Sequence, residues 1–157
     1  MNAYRAKPLT FPWPPFVYGL FILLALVADQ ALPAALPRLD WAIFWALGVI
    51  LTLGAVWLEI WALKTLFESK TTLNPNRRTV HLITRGPFRF SRNPTYLGYT
   101  LITIGFALMT GSPWLLVAAF AAAVTTDVVA IRYEELHLLY RFGCEFESYC
   151  RQTRRWL

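Results

Sequence analysis

Residues 93–126 read NPTYLGYTLITIGFALMTGSPWLLVAAFAAAVTT, 34 consecutive positions without one charged side chain. The hydrocarbon core of a bilayer is crossed by about 20 apolar residues at 1.5 Å each. The run is therefore too long for one crossing and suits two. Gly111-Ser112-Pro113 divides it, predicting helices over 94–110 and 113–131 joined by a tight hairpin. Asn93-Pro94 is a start signal, because asparagine caps free amides and proline fits the first helical position.

Working outward toward the N-terminus, residues 64–92 change character. Lys64, Lys70, Arg77, Arg78, Arg85, Arg89 and Arg92 stand against the single acid Glu68, with turns expected at Asn74-Pro75-Asn76 and Gly86-Pro87. Before them, residues 41–63 are free of charge until Glu59. Trp41 and Trp45 mark one end and Trp57 and Trp61 the other, as interfacial belts do. A first apolar run, 15–32, is uncharged until Asp29, and Pro33, Pro37, Arg38 and Asp40 form the turn after it. A cleaved signal peptide is the rival reading of that run, but 31–37 is a poor cleavage region in a chain whose body is itself membranous. Asp29, Glu59 and Asp127 read as interfacial residues near the ends of apolar runs.

Outward in the other direction, the helix begun at 113 runs on past the bilayer through Arg132, Glu134, Glu135 and His137, with Gly143 as its stop. Phe146, Tyr149, Cys150 and Thr153 then follow helical spacing, which suits a short amphipathic helix lying on the membrane. The expectation is an all-α integral membrane protein forming a single domain over 1–157. It has about four transmembrane helices (15–32, 41–63, 94–110 and 113–131), a loop over 64–93 and a C-terminal segment over 132–157.

Composition agrees. Hydrophobic residues make up 57% of the chain and charged ones 15%, a balance that a soluble domain of this size could not bury. The formal charge is +6, but the bases sit between apolar runs, so membrane orientation accounts for them and nucleic-acid binding is not expected. Arg5, Lys7, the 64–92 loop and the C-terminal arginines fall on one side of a four-span arrangement. The positive-inside rule then makes both termini and the loop cytoplasmic, in a multi-pass protein of a bacterial inner membrane. Cys144, Cys150, His81 and His137 have no metal-ligand spacing, and no metal is expected.

Three features with chemical potential converge on that face: the segment from Gly86 through Arg92 and Asn93 into Tyr96, the pair Glu134-Glu135, and the tail containing Tyr149 and Arg154-Arg155-Trp156. Arg92 and Asn93 stand at a helix N-terminus, where free amides and the dipole favour an anion, and Arg92 suits a carboxylate fork. Glu134 and Glu135 are about 100° apart around a helix, so one is expected to face a ligand and the other an arginine such as Arg132.

In this order, Gly-Pro-Phe-Arg-Phe-Ser-Arg-Asn-Pro-Thr-Tyr-Leu-Gly, the four spans, the Glu-Glu and the Phe-Gly…Tyr…Arg-Arg-Trp tail resemble the isoprenylcysteine carboxyl methyltransferase family, itself related to the phospholipid methyltransferases. The resemblance covers about residues 40–157. It implies a membrane methyltransferase that uses S-adenosylmethionine in a cytoplasm-facing pocket and takes a lipophilic acceptor from the bilayer, with membrane lipids as its surroundings. Gly86, Phe88, Arg92, Pro94, Tyr96 and Glu135 match the family's cofactor-binding positions, Asn93 and Glu134 lie beside them, and Leu82 and Ile83 match an apolar pair placed to meet adenine. Many members have histidine where this chain has Asn93, whose amide can donate a hydrogen bond but cannot carry charge. With a carboxylate acceptor, Arg132 or Arg154 would orient the nucleophile; with an amine, Glu134 or Tyr149 would handle a proton. A phospholipid amine or other small-molecule N- or S-acceptor is the alternative within the enzyme reading. A non-catalytic transporter or complex subunit is the alternative outside it.

Overall fold

The computed structural model describes residues 13–36, 40–71 and 82–157. Arg5, Lys7, Pro37, Arg38, Asn74-Pro75-Asn76, Arg77, Arg78 and His81 lie outside the described residues. The described elements are helical: α1 (Trp13–Ala31), α2 (Trp41–Thr71), a 3₁₀ turn (Gly86–Arg89), α3 (Pro94–Thr110), α4 (Pro113–Thr126), a π-helical turn (Asp127–Ile131), α5 (Arg132–Phe142) and α6 (Cys144–Gln152).

Among the described residues, three helices are long and apolar enough to cross a membrane: Pro14–Ala31, Trp41–Ser69 and Pro113–Phe142. The last is α4, the π turn and α5 running on as one rod. With 17 residues α3 is shorter, about 26 Å at the α-helical rise, and it packs between α2 and α4. The protein is an all-α membrane protein. Burial inverts the soluble pattern: only 11% of the apolar window of α2 is covered by the rest of the chain, while Ile50, Leu53, Trp57 and Ile60 are exposed. Side chains of this kind are stable on the outside only where the surroundings are hydrocarbon.

The helices associate through small residues, as expected where lipid and leucine are equally apolar. Along the α2–α3 seam, a Cβ at Gly48 would lie 2.7 Å from the carbonyl oxygen of Gly105, and one at Gly105 would lie 2.9 Å from the carbonyl oxygen of Gly48 and collide with Thr52. Ala25 of α1, Ala107 of α3, and Leu115 and Ala118 of α4 form the core nearer the opposite end. At that end Leu36 N–H donates to the Gly111 carbonyl (3.0 Å), and the Trp114 indole donates to that of Leu32 (2.9 Å). The hairpin turns as its sequence suggests: Gly111 adopts a left-handed φ of 75°, and the Ser112 hydroxyl accepts from Leu115 N–H.

Two local expectations are corrected. Asn93 precedes α3, but its side chain makes no capping bond and reaches the C-terminal tail instead. Glu59 stands near the end of its apolar run, as its sequence position indicates, but it is not an exposed acid. It lies in the middle of α2, 9% exposed, packed against Gly98 of α3, and its Oε1 has no hydrogen-bond partner.

Candidate functional site

The site is assembled where α2, the 3₁₀ turn, the start of α3, α5, α6 and the C-terminal tail meet. Gly86 opens the turn with a φ of 62°, and a Cβ there would press on Thr65 of α2, so glycine serves both the conformation and the close approach. Pro87 follows, fully buried, and the Phe90 and Trp61 rings lie 6.4 Å apart. Ser91 is buried, and its hydroxyl accepts from the backbone N–H of Asn93 at 3.1 Å.

The tail is strapped across this loop by backbone acceptors. Arg92 N–H donates to the Arg154 carbonyl (3.0 Å), while the Ser91 hydroxyl (3.3 Å) and the Asn93 amide (3.1 Å) both donate to that of Arg155. In return the Tyr149 hydroxyl donates to the Phe88 carbonyl at 2.7 Å, and that of Thr153 to the Arg89 carbonyl at 3.3 Å. Burial pushes the Tyr149 phenol up to about 12, the positive charge of Arg92 opposing and Cys150 adding to the rise, so it remains a donor at physiological pH.

Within this frame Arg155 makes a fork to Glu135, Nε to Oε1 at 3.1 Å and a second, shorter bond from Nη2 to Oε2. Arg92 Nη2 reaches the same carboxylate at 2.9 Å. The Nη1 of Arg155 also lies 3.2 Å from Asp127, which takes the Trp156 indole at 3.4 Å as well. Its bond to Glu135 raises the Arg155 guanidinium above its ordinary value, with burial acting the other way. Asp127 is therefore a member of this cluster rather than an isolated interfacial acid. It opens the π turn, a local widening that recurs at functional sites because it re-aims the residues after it.

Glu134, one residue earlier, takes a different partner: the Tyr96 hydroxyl lies 3.0 Å from both of its oxygens. Both glutamates nevertheless line one cavity of about 680 Å³. The 100° between them distributes their partners without removing either from the space. Glu135 pairs with Arg92 and Arg155 rather than with the expected Arg132, which lies 3.7 Å from Asp127 with its side chain 61% exposed.

Of the residues singled out in the sequence, the cavity gathers Phe88, Arg92, Asn93, Tyr96, Glu134, Glu135 and Tyr149. Leu82 and Ile83 are half-buried ahead of the turn, Gly86 packs on α2, and Pro94 is fully buried at the start of α3; none of these lines the cavity. Arg132 and Arg154 also lie outside it. Arg154 is exposed and contributes its carbonyl. Sequence reasoning missed Leu66, Thr95, Tyr133, His137, Leu138 and Phe146 as lining residues, and Arg155 as the partner of Glu135. Helical spacing was an available signal for some of them, since Tyr133, Glu134, His137 and Leu138 recur at the three- and four-residue intervals of one helix face. The buried Nε of Arg92 has no hydrogen-bond partner among the described residues. The cavity thus presents the Arg92 guanidinium, a tyrosine-held carboxylate, and the side chains of Phe88, Tyr133 and Tyr149.

Comparison with known proteins agrees with the resemblance read from the motifs. A relative among characterised proteins is the nickel-cobalt-cadmium resistance protein NccN of Alcaligenes xylosoxydans xylosoxydans, 27% identical over 132 residues. The match covers 84% of this chain but 57% of that protein, so the chain spans little more than half the length of the relative. No solved structure matches the chain. Residues 43–145, from α2 to the start of α6, match the model of the phospholipid methyltransferase family, in which the isoprenylcysteine carboxyl methyltransferase-like proteins also fall, and the chain belongs to that family.

Proposed function

We propose that the protein is an S-adenosylmethionine-dependent methyltransferase acting on a lipophilic acceptor that enters from the bilayer, with both termini and the site on the cytoplasmic face of a bacterial inner membrane. The observation that carries this reading is the single cavity holding the Arg92–Glu135 pair beside the Tyr96–Glu134 pair.

The residues fit the cofactor. Arg92 lines the cavity, and its guanidinium is the cation available there to a carboxylate. Glu134 is an acceptor for an ammonium or ribose hydroxyls, and Phe88, Tyr133 and Tyr149 offer faces to a purine. When bound, S-adenosylmethionine supplies a methyl group already activated by its sulfonium. The work of the chain is then to align the acceptor and exclude water. Tyr96 holds Glu134 in place, Arg155 and Arg92 hold Glu135, and the strap fixes the loop that carries Phe88 and Arg92.

For the acceptor we favour a carboxylate, which is nucleophilic as the anion and needs no base. An amine is the second reading, favoured by His137 and Glu134 lining the cavity, since either can take the proton an amine must shed. Alkali separates the two, because a methyl ester is hydrolysed and a methylamine is not.

Calorimetric titration of S-adenosylhomocysteine into the detergent-purified protein tests the cofactor. Saturable binding is expected, weakened by about tenfold or more in Arg92→Ala and Glu135→Ala. Unchanged affinity in both variants would remove the assignment. No binding to a folded wild-type sample would favour a non-catalytic role in the membrane.

A further inference from the structure

A second hollow, about 600 Å³, lies on the outer side of the rod formed by α4, the π turn and α5. Its wall is Phe120, Ala123, Val124 and Val128, and its rim is Arg92, Asp127, Arg132, Arg155 and Trp156. The wall belongs to a membrane-spanning helix, and its side chains are turned outward: Phe120 is 74% exposed, Val124 and Val128 each 47%. The rim gathers the first charged side chains after the uncharged stretch 93–126.

Charge at the rim is unevenly matched. Arg92 and Arg155 share Glu135, and Arg155 also pairs with Asp127. Arg132 is left with one ion pair to that same Asp127, at 3.7 Å, and no hydrogen bond among the described residues. Counting the carboxylate of Glu135 behind the rim, three guanidiniums face two acids, and the surplus falls on the most exposed of the three. A groove with an apolar wall and a rim of net positive charge is complementary to an amphiphile with an acyl chain and an anionic phosphate.

The geometry points to a binding site for an anionic membrane phospholipid, with an acyl chain along residues 120–128 and the phosphate on Arg132. It shares Arg92 with the candidate cofactor cavity but is otherwise lined by different residues, so it is a second site and stands whether or not the cavity binds a cofactor. The indole of Trp156 supplies the interfacial ring expected beside a headgroup.

Native mass spectrometry of delipidated protein in detergent provides the test, with phosphatidylglycerol and phosphatidylcholine of identical chains titrated in parallel. Phosphatidylglycerol is expected to bind about fivefold more tightly, the effect of one arginine at a lipid surface. Arg132→Gln should erase the preference, Arg132→Lys should keep most of it, and Arg141→Gln should leave it intact as a charge-matched control. Glycerol phosphate, which has no chain, should bind far more weakly. Equal affinity for the two lipids in the wild type would overturn the proposal without reference to any variant. So would a preference that survives Arg132→Gln, or glycerol phosphate binding as tightly as the lipid.

Discussion

Arg155 and Glu135, twenty residues apart, meet in a two-pronged guanidinium–carboxylate contact that ties the C-terminal tail to α5. Because the carbonyl of Arg155 separately anchors Ser91 and Asn93, the side chain and the backbone of this residue do different things. Arg155→Ala removes the fork and keeps the strap. The variant is expected to lose about 1–2 kcal/mol of stability, a partly exposed pair being worth less than a buried one. Arg155→Lys should recover only part of that loss, since an ammonium cannot reproduce the fork. Thermal melting of the three proteins in one detergent measures both effects.

Tyr149 gives a dependence on alkaline pH whose sign is fixed. Its phenol ionises near 10 when unfolded and is pushed up to about 12 in the fold, mainly by burial. The neutral form is the one the fold favours, so this contribution is complete below pH 10 and is lost as pH rises toward 12. Tyr149→Phe should lower stability at neutral pH by removing the bond to Phe88, and its stability should fall less steeply than that of the wild type above pH 10. Denaturation midpoints compared at pH 8 and pH 11 check this, and parallel slopes would contradict it.

The seam between α2 and α3 leaves no room for a methyl group. Gly105→Ala would press a carbon against the Gly48 carbonyl and Thr52, and part of that obstruction is backbone. A loss of about 1–3 kcal/mol is expected. Gly54→Ala, where nothing lies within 4 Å, should be tolerated. Melting temperatures of the pair measured side by side distinguish a tight seam from a general dislike of alanine in α2 or α3.

The two cysteines should differ toward alkylation. Cys144 is exposed. Cys150 is half-buried, and burial raises its thiol above the ordinary value although Arg92 opposes the shift. Less thiolate and less access both slow it. Iodoacetamide at pH 8, followed by peptide mass spectrometry, should modify Cys144 well before Cys150.

The fold class was legible because membrane helices are written in composition: a 34-residue run without charge admits few alternatives, and Gly111-Ser112-Pro113 marks the hairpin by turn chemistry that needs no tertiary context. What the sequence could not convey is which long-range partner each polar residue takes. Asn93 has the form of a cap, yet its side chain is turned to the tail, where Nδ2 donates to the Arg155 carbonyl. Glu59 read as interfacial because its apolar run ends at residue 63, but Gly98 of α3 leaves a gap into which the carboxylate fits. Arg155 was hidden beside Arg154 and Trp156 in a short basic run, where only the path of the strap decides which arginine turns inward.

The π turn at Asp127–Ile131 has a consequence for alignment within the rod. The turn takes up one residue more than regular winding would, so the face periodicity of the sequence shifts by one position, about 100°, across it. Removing a single residue from those five would give regular winding with Glu134 and Glu135 still facing Tyr96 and Arg92, whereas winding all five regularly would swing both carboxylates off those partners by about 100°. The two halves of this helix are thus indexed separately, one to the bilayer and one to the cavity, and the widened turn is what holds the second half on its aim.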